Sequence, residues 1–183
     1  DPPDASTLQK LTATYTGGGL QLKPVLKEIL THPALFDSID EPNMIKPPVV
    51  YVVGAMRALG VGVTDSTAND YLDAMGELPY FPPNVAGWEG GLSWLNTDTA
   101  LARFALISAL LSNANIGDVP GETPAAAYAR AYAPTGAPWL APGTESAIRS
   151  FANSAPSSSA SKRVQRQIAL RALILAGPDA QVM

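Results

Sequence analysis

With 183 residues, the chain is long enough for one domain that removes about 70% of its extended surface from water and so carries a core without covalent staples. The absence of cysteine excludes disulfides and thiolate metal sites, and the single histidine excludes a multi-histidine metal site within the chain. A formal charge of −4 lacks the clustered basic footprint of a nucleic-acid binder, and apolar runs such as Val49 to Val53 are too short to span a bilayer, so neither nucleic acid nor a membrane span is expected. The chain opens with Asp1-Pro2-Pro3, without an initiator Met or a basic-then-apolar leader. It is therefore expected to be processed or cut from something longer.

In chain order, Ser6 with Gln9 makes a capping-box pattern, and Gly17 to Gly19 provide an exit, which predicts a first helix over about residues 6–16. Leu22, Val25, Leu26, Ile29 and Leu30 share one helical face, with Pro24 acceptable in the first turn and His32-Pro33 as the stop. Pro47-Pro48 opens a third helix that closes at Gly60. Its Val49, Val52, Val53, Met56 and Leu59 fall on one face, and this helical spacing outweighs the strand propensity of the β-branched residues. Thr67 with Asp70 suggests the cap of a short fourth helix, whose buried face holds Tyr71, Leu72 and Met75.

From Met75 to Asn96 the sequence MGELPYFPPNVAGWEGGLSWLN fits neither helix nor strand. Pro79, Pro82 and Pro83 stiffen it, Gly87, Gly90 and Gly91 open unusual backbone angles, and Trp88 and Trp94 supply large apolar surfaces. Thr97 is then expected to cap a helix over 98–112, apolar around most of its circumference and hence the most buried element. Thr123 and Thr144 are expected to cap two shorter helices. Residues 154–161, SAPSSSAS, read as a flexible internal connection to a last helix that ends at Gly177-Pro178. In that helix Lys162, Arg163, Arg166 and Arg171 read as a solvated basic face. The expected fold is all-α, an irregular bundle of about seven helices forming a single helical domain around the rigid Pro/Gly/Trp loop at about 76–96.

Several stretches resemble a bacterial family known as domain of unknown function 1800. They are LQLKPVLKEILTHPALF, KPPVVYVVGAMRALG, MGELPYFPPNVAGWEGGLSWLNTDTALAR with its PPNVxGW element, and the closing RALILAGPDAQ. The last departs from the family's more frequent Ser-Pro-x-Phe-Gln ending, and Glu77 stands where the family commonly has Gln, which argues against Glu77 as a required catalytic carboxylate. The resemblance implies an exported protein, of which this chain is the C-terminal part. It implies no accepted activity.

Two readings of the loop follow. In one, the tryptophans plug the core while Asn84 and Asn96 hydrogen-bond the loop backbone. In the other, Trp88 or Tyr80 is an exposed stacking platform for a sugar or polymer, with Asn84 as polar reader. Lys46, Arg57 and Arg103 could likewise converge on an anionic ligand or donate to loop carbonyls. Asp65, Asp70, Asp73 and Glu77 read as a solvated acidic face without calcium-loop spacing. Glu77, Glu89 and Asp98 could form a glycosidase pair only at a separation of about 5–10 Å. His32 lacks the nucleophile elbow that a serine triad would need.

The expected function is a non-catalytic module of an exported protein, binding or assembling through the loop, with no cofactor. The candidate ligand residues are Tyr80, Asn84, Trp88, Trp94, Asn96, Lys46, Arg57 and Arg103. Candidate partners are the N-terminal half, another protein chain, or a glycan. An extracellular hydrolase acting on a polymer such as a polysaccharide is the alternative.

Overall fold

The structure, a computed structural model, describes residues 3–37, 42–63 and 67–183. The chain forms two compact units, Asp1–Glu41 and Pro42–Met183. Among the described residues there are eight α-helices and no strand, the only β pairing being one isolated bridge. The fold is all-α.

The first unit is a helical hairpin of α1 (Ala5–Gly17) and α2 (Leu22–Leu30), followed by a single 3₁₀ turn at Pro33–Leu35. The cap expected at Ser6 falls instead on Asp4. Because the helix starts at Ala5, Asp4 takes the half-in position, where its Oδ1 accepts from the Thr7 amide at 2.8 Å and from Ser6 Oγ at 2.7 Å. An ion pair joins Lys10 to Glu28 across the hairpin. The apolar stripe of α2 exists as the spacing predicts, yet Leu22, Leu26, Ile29 and Leu30 all remain exposed.

In the second unit α3 (Pro48–Leu59) starts at its proline and ends at Gly60, whose φ of +64° is the left-handed geometry that glycine tolerates. Its inward face is Tyr51, Val52, Ala55, Met56 and Leu59, leaving Val53 exposed, so the helix is rotated from the expected Val49–Val53 face. The next helix, α4 (Thr67–Ala74), presents Leu72 to the same core, with Met75 just beyond its end. The cap expected at Thr67, and Asp65 of the acidic run, lie outside the described side chains. α5 (Thr97–Asn113) is not apolar-buried all round. Leu101 and Phe104 face solvent, and its inward stripe runs Thr99, Arg103, Leu106, Ile107, Leu110 and Leu111.

Helices α6 (Pro124–Tyr132), α7 (Pro142–Ser154) and α8 (Ala160–Ala176) build a second core of Ala127, Tyr128, Ala131, Ile148, Ala152, Leu170 and Ile174. Thr123 caps α6 through the Ala126 amide at 3.2 Å, as the sequence predicts. Thr144 does not cap α7, whose N-cap is Ala141, three residues earlier, because Pro142 can occupy the first helical position. α8 serves both cores, since Leu175 belongs to the first and Leu170 and Ile174 to the second. This is why its basic residues are not a solvated face. Arg166 is buried, where its Nη2 meets Glu122 Oε2 at 2.9 Å, and Arg163 forms a two-pronged pair with Asp118 at 2.7 Å on each arm. Lys162 alone of the four is exposed.

Candidate functional site

The chain from Gly76 to Asn96 is held at both ends and in the middle. At its start Gly76 takes φ +81° and the Glu77 Oε2 carboxylate accepts from the Val49 amide at 2.9 Å, at the electropositive N-terminus of α3. At its end Asn96 is the N-cap of α5, a position expected for Thr97. Its Oδ1 accepts from the Asp98 and Thr99 amides, both at 3.0 Å, and Thr99 Oγ1 accepts from the Asn96 amide at 2.9 Å, completing a reciprocal capping box. In between, Asn84 Oδ1 accepts from the Ala86 amide at 2.8 Å and the Asn84 carbonyl from Gly87. A 3₁₀ turn at Gly91–Trp94 closes the segment.

This pinned backbone displays apolar side chains to water. Tyr80 is 94% exposed, Phe81 72% and Leu92 82%, and Val85 is fully exposed. Tyr80 also carries φ +69°, a left-handed backbone conformation that costs an L-residue about 1–2 kcal/mol. Trp88 and Trp94 are half-buried, so neither the fully buried plug nor the fully open platform describes them. The Trp94 ring lies against Gly90, where a Cβ would meet its edge at 3.7 Å, and the indole Nε1 is buried without a hydrogen-bond partner among the described residues. Asn84 and Asn96 are exposed, with their side-chain oxygens already occupied by the loop backbone.

The three basic candidates divide. Lys46 and Arg103 meet, but on the C-terminal tail and not on the loop. Arg103, fully buried on α5, donates from Nη2 to the Lys46 carbonyl at 2.8 Å and from Nη1 to Gln181 Oε1 at 3.2 Å, and its guanidinium sits 4.6 Å over the Tyr51 ring. Lys46 Nζ donates to the Ala180 carbonyl at 3.0 Å, and its amide to the Gln181 carbonyl at 2.8 Å. The tail continues into an antiparallel bridge between Ile45 and Val182. Burial pushes the pKa values of both cations down. Arg103 lowers that of Lys46 further, while Tyr51 and then Glu77 partly offset the effect on Arg103. Burial raises the Tyr51 phenol, whose hydroxyl donates to the Leu175 carbonyl at 2.9 Å. Arg57 is exposed in the last turn of α3, the end away from Lys46.

Asp70 and Asp73 are exposed, Glu77 turns to the α3 terminus, and among the described residues no group of three His, Asp or Glu side chains could hold a metal ion. His32 caps the 3₁₀ turn through Nδ1, which accepts from the Ala34 amide at 3.3 Å.

Sequence reasoning missed Phe81, Val85 and Leu92 as display residues and Gln181 as the partner of Arg103. Their only signals were apolar side chains inside a Pro/Gly run and a terminal Gln at the end of the last family-like stretch. It also missed Glu122, a buried carboxylate that meets Arg130 Nε at 2.6 Å besides Arg166, and no local pattern marks it.

No helix is long and apolar enough to cross a membrane among the described residues. No curated protein and no solved structure matches the chain. A family model described as a protein of unknown function, DUF1800, matches residues 1–182. The chain belongs to the DUF1800 family.

Proposed function

We propose that the chain is a non-catalytic binding or assembly module of an exported bacterial protein, with the loop from Leu78 to Leu95 as its contact surface. The observation that carries this reading is the combination of a pinned backbone with exposed Tyr80, Phe81, Val85 and Leu92. A backbone already fixed loses little conformational entropy on binding, and exposed aromatic and aliphatic side chains supply the apolar area that drives association. The occupant this chemistry fits is another protein chain, because the two asparagine side chains that could read sugar hydroxyls have their oxygens engaged at home. Export rests on the family resemblance.

The absence of cysteine makes the test direct. Val85→Cys places on the loop the one thiol of this 183-residue chain, to be coupled to a photoactivatable cross-linker in the chain itself and presented to the proteins that its native host secretes. A protease-sensitive adduct that disappears when Tyr80→Ser and Phe81→Ser are added supports the reading. Retention on cell-wall or plant polysaccharide, abolished by the same two substitutions and accompanied by no protein adduct, overturns it.

A further inference from the structure

A second feature of the Pro42–Met183 unit stands apart from the loop. Between α3, the turn after α6, α8 and the tail lies an open cavity of about 160 Å³, walled by Val50, Tyr51, Thr135, Ile174 and Leu175 together with Lys46. That is the size of an apolar cavity able to hold a benzene ring. The polar groups in its wall other than Lys46 are committed elsewhere. Thr135 Oγ1 donates to the Tyr132 carbonyl at 2.6 Å and the Tyr51 hydroxyl to Leu175. Lys46 Nζ spends one of its three N–H donors on Ala180, and the structure assigns no ion-pair partner to it among the described residues.

Nearby carboxylates are turned to other work. Glu77 holds the Val49 amide and Asp179 Oδ2 accepts from the Ala141 amide at 2.8 Å. The result is a half-buried ammonium beside a second, fully buried cation, Arg103, with apolar walls in front of it. Such a site lacks one negative charge and has room for an apolar body behind it.

We propose that this cavity binds a small apolar monocarboxylate, its carboxylate on Lys46 Nζ and its body against Val50, Tyr51, Ile174 and Leu175. A free carboxylate, or one at the end of a peptide, would present the same chemistry. The ring of Tyr51, held by the Arg103 guanidinium 4.6 Å from its centroid and by its hydroxyl on the Leu175 carbonyl, forms a fixed part of the wall. Specificity then comes from one charge-assisted contact and from the size of the apolar cavity beside it.

The test uses the full chain and benzoate as probe, with benzamide as its uncharged counterpart and inorganic phosphate as an anion without a body, all followed by calorimetric titration. Saturable benzoate binding is expected, with benzamide and phosphate each weaker by at least about tenfold, the factor that one charged hydrogen bond supports. Lys46→Met should abolish the benzoate preference, with folding checked by urea denaturation. Gly54→Leu keeps the lysine and adds bulk at a position that lines the cavity and where a Cβ meets no atom within 4 Å, and it should weaken benzoate binding without unfolding the helix. Isoleucine-terminated and glycine-terminated tripeptides, compared with benzoate, separate a peptide end from a free acid. No saturable binding of benzoate or either tripeptide, equal binding of benzoate and benzamide, or benzoate binding unchanged by both variants would each overturn the proposal.

Discussion

Arg103 donates its Nη2 to the main-chain carbonyl of Lys46 at 2.8 Å, so a fully buried cation on α5 is tied to the residue that immediately precedes the prolines opening α3. With Gln181 on its other arm and Tyr51 beneath it, this one side chain joins α5, the start of α3 and the C-terminal tail.

Replacing it should therefore be costly. Arg103→Met keeps much of the volume but leaves the Lys46 carbonyl and Gln181 Oε1 without a donor, and should destabilise by about 3 kcal/mol from two unsatisfied buried acceptors. Urea denaturation measures this. Arg103→Lys should recover less than half of the loss, because one ammonium cannot span both acceptors as the guanidinium fork does. Wild-type stability in either variant would show that the contact contributes nothing.

The buried carboxylate of Glu122 makes a second expectation. Glu122→Gln leaves Arg166 and Arg130 without their shared counter-charge and turns an NH2 donor toward one of the two guanidinium groups, at a cost of about 3–5 kcal/mol. A double-mutant cycle with Arg166→Met should return a coupling energy of more than about 1 kcal/mol, whereas additive losses would mean that the two groups act independently.

Asn96→Ala should lower stability by about 1 kcal/mol through the lost α5 cap. Asn96→Asp should retain most of it, since an aspartate oxygen accepts the same two amides. Equal losses in the two variants would place the effect on the Nδ2 bond to the Ser93 carbonyl instead.

Asp4 supplies the pH prediction. Its hydrogen bond from Ser6, followed by those from Thr7, lowers the carboxyl pKa from 3.8 to about 2. A depressed folded pKa means that the contribution of the cap is fully present above about pH 4 and is lost as pH falls through about 2. Carbon-detected NMR titration of the Asp4 carboxyl should give a midpoint near the lower value, and Ser6→Ala should raise it. An unshifted midpoint would mean that the cap does not hold in solution.

Much of the helix inventory is legible in local chemistry. Pro48, Gly60, Thr123 and the Gly177-Pro178 pair mark boundaries through backbone angles and donors that belong to the residue itself, and the stripe of α2 lies in its spacing. Where two capping residues compete, as with Asp4 against Ser6 or Asn96 against Thr97, the outcome depends on where the helix actually starts, which neighbouring packing sets by a residue or two. The rigidity of the loop was likewise readable from its prolines and glycines, while the outward aim of Phe81, Val85 and Leu92 was not.

What the sequence by itself determined is the all-α class, the order of the helices and the presence of one irregular, stiffened connection between α4 and α5, because these follow from φ preferences, caps and periodicity within a few residues. Only the tertiary structure decided which face of α3 and α5 turns inward, that Arg103 and Arg166 are core residues, and that Lys46 stands before an apolar cavity. Charge position is a long-range matter. Arg103 finds Gln181 across 78 residues and Arg166 finds Glu122 across 44, and no local rule tells a cation destined for a buried acceptor from one destined for water.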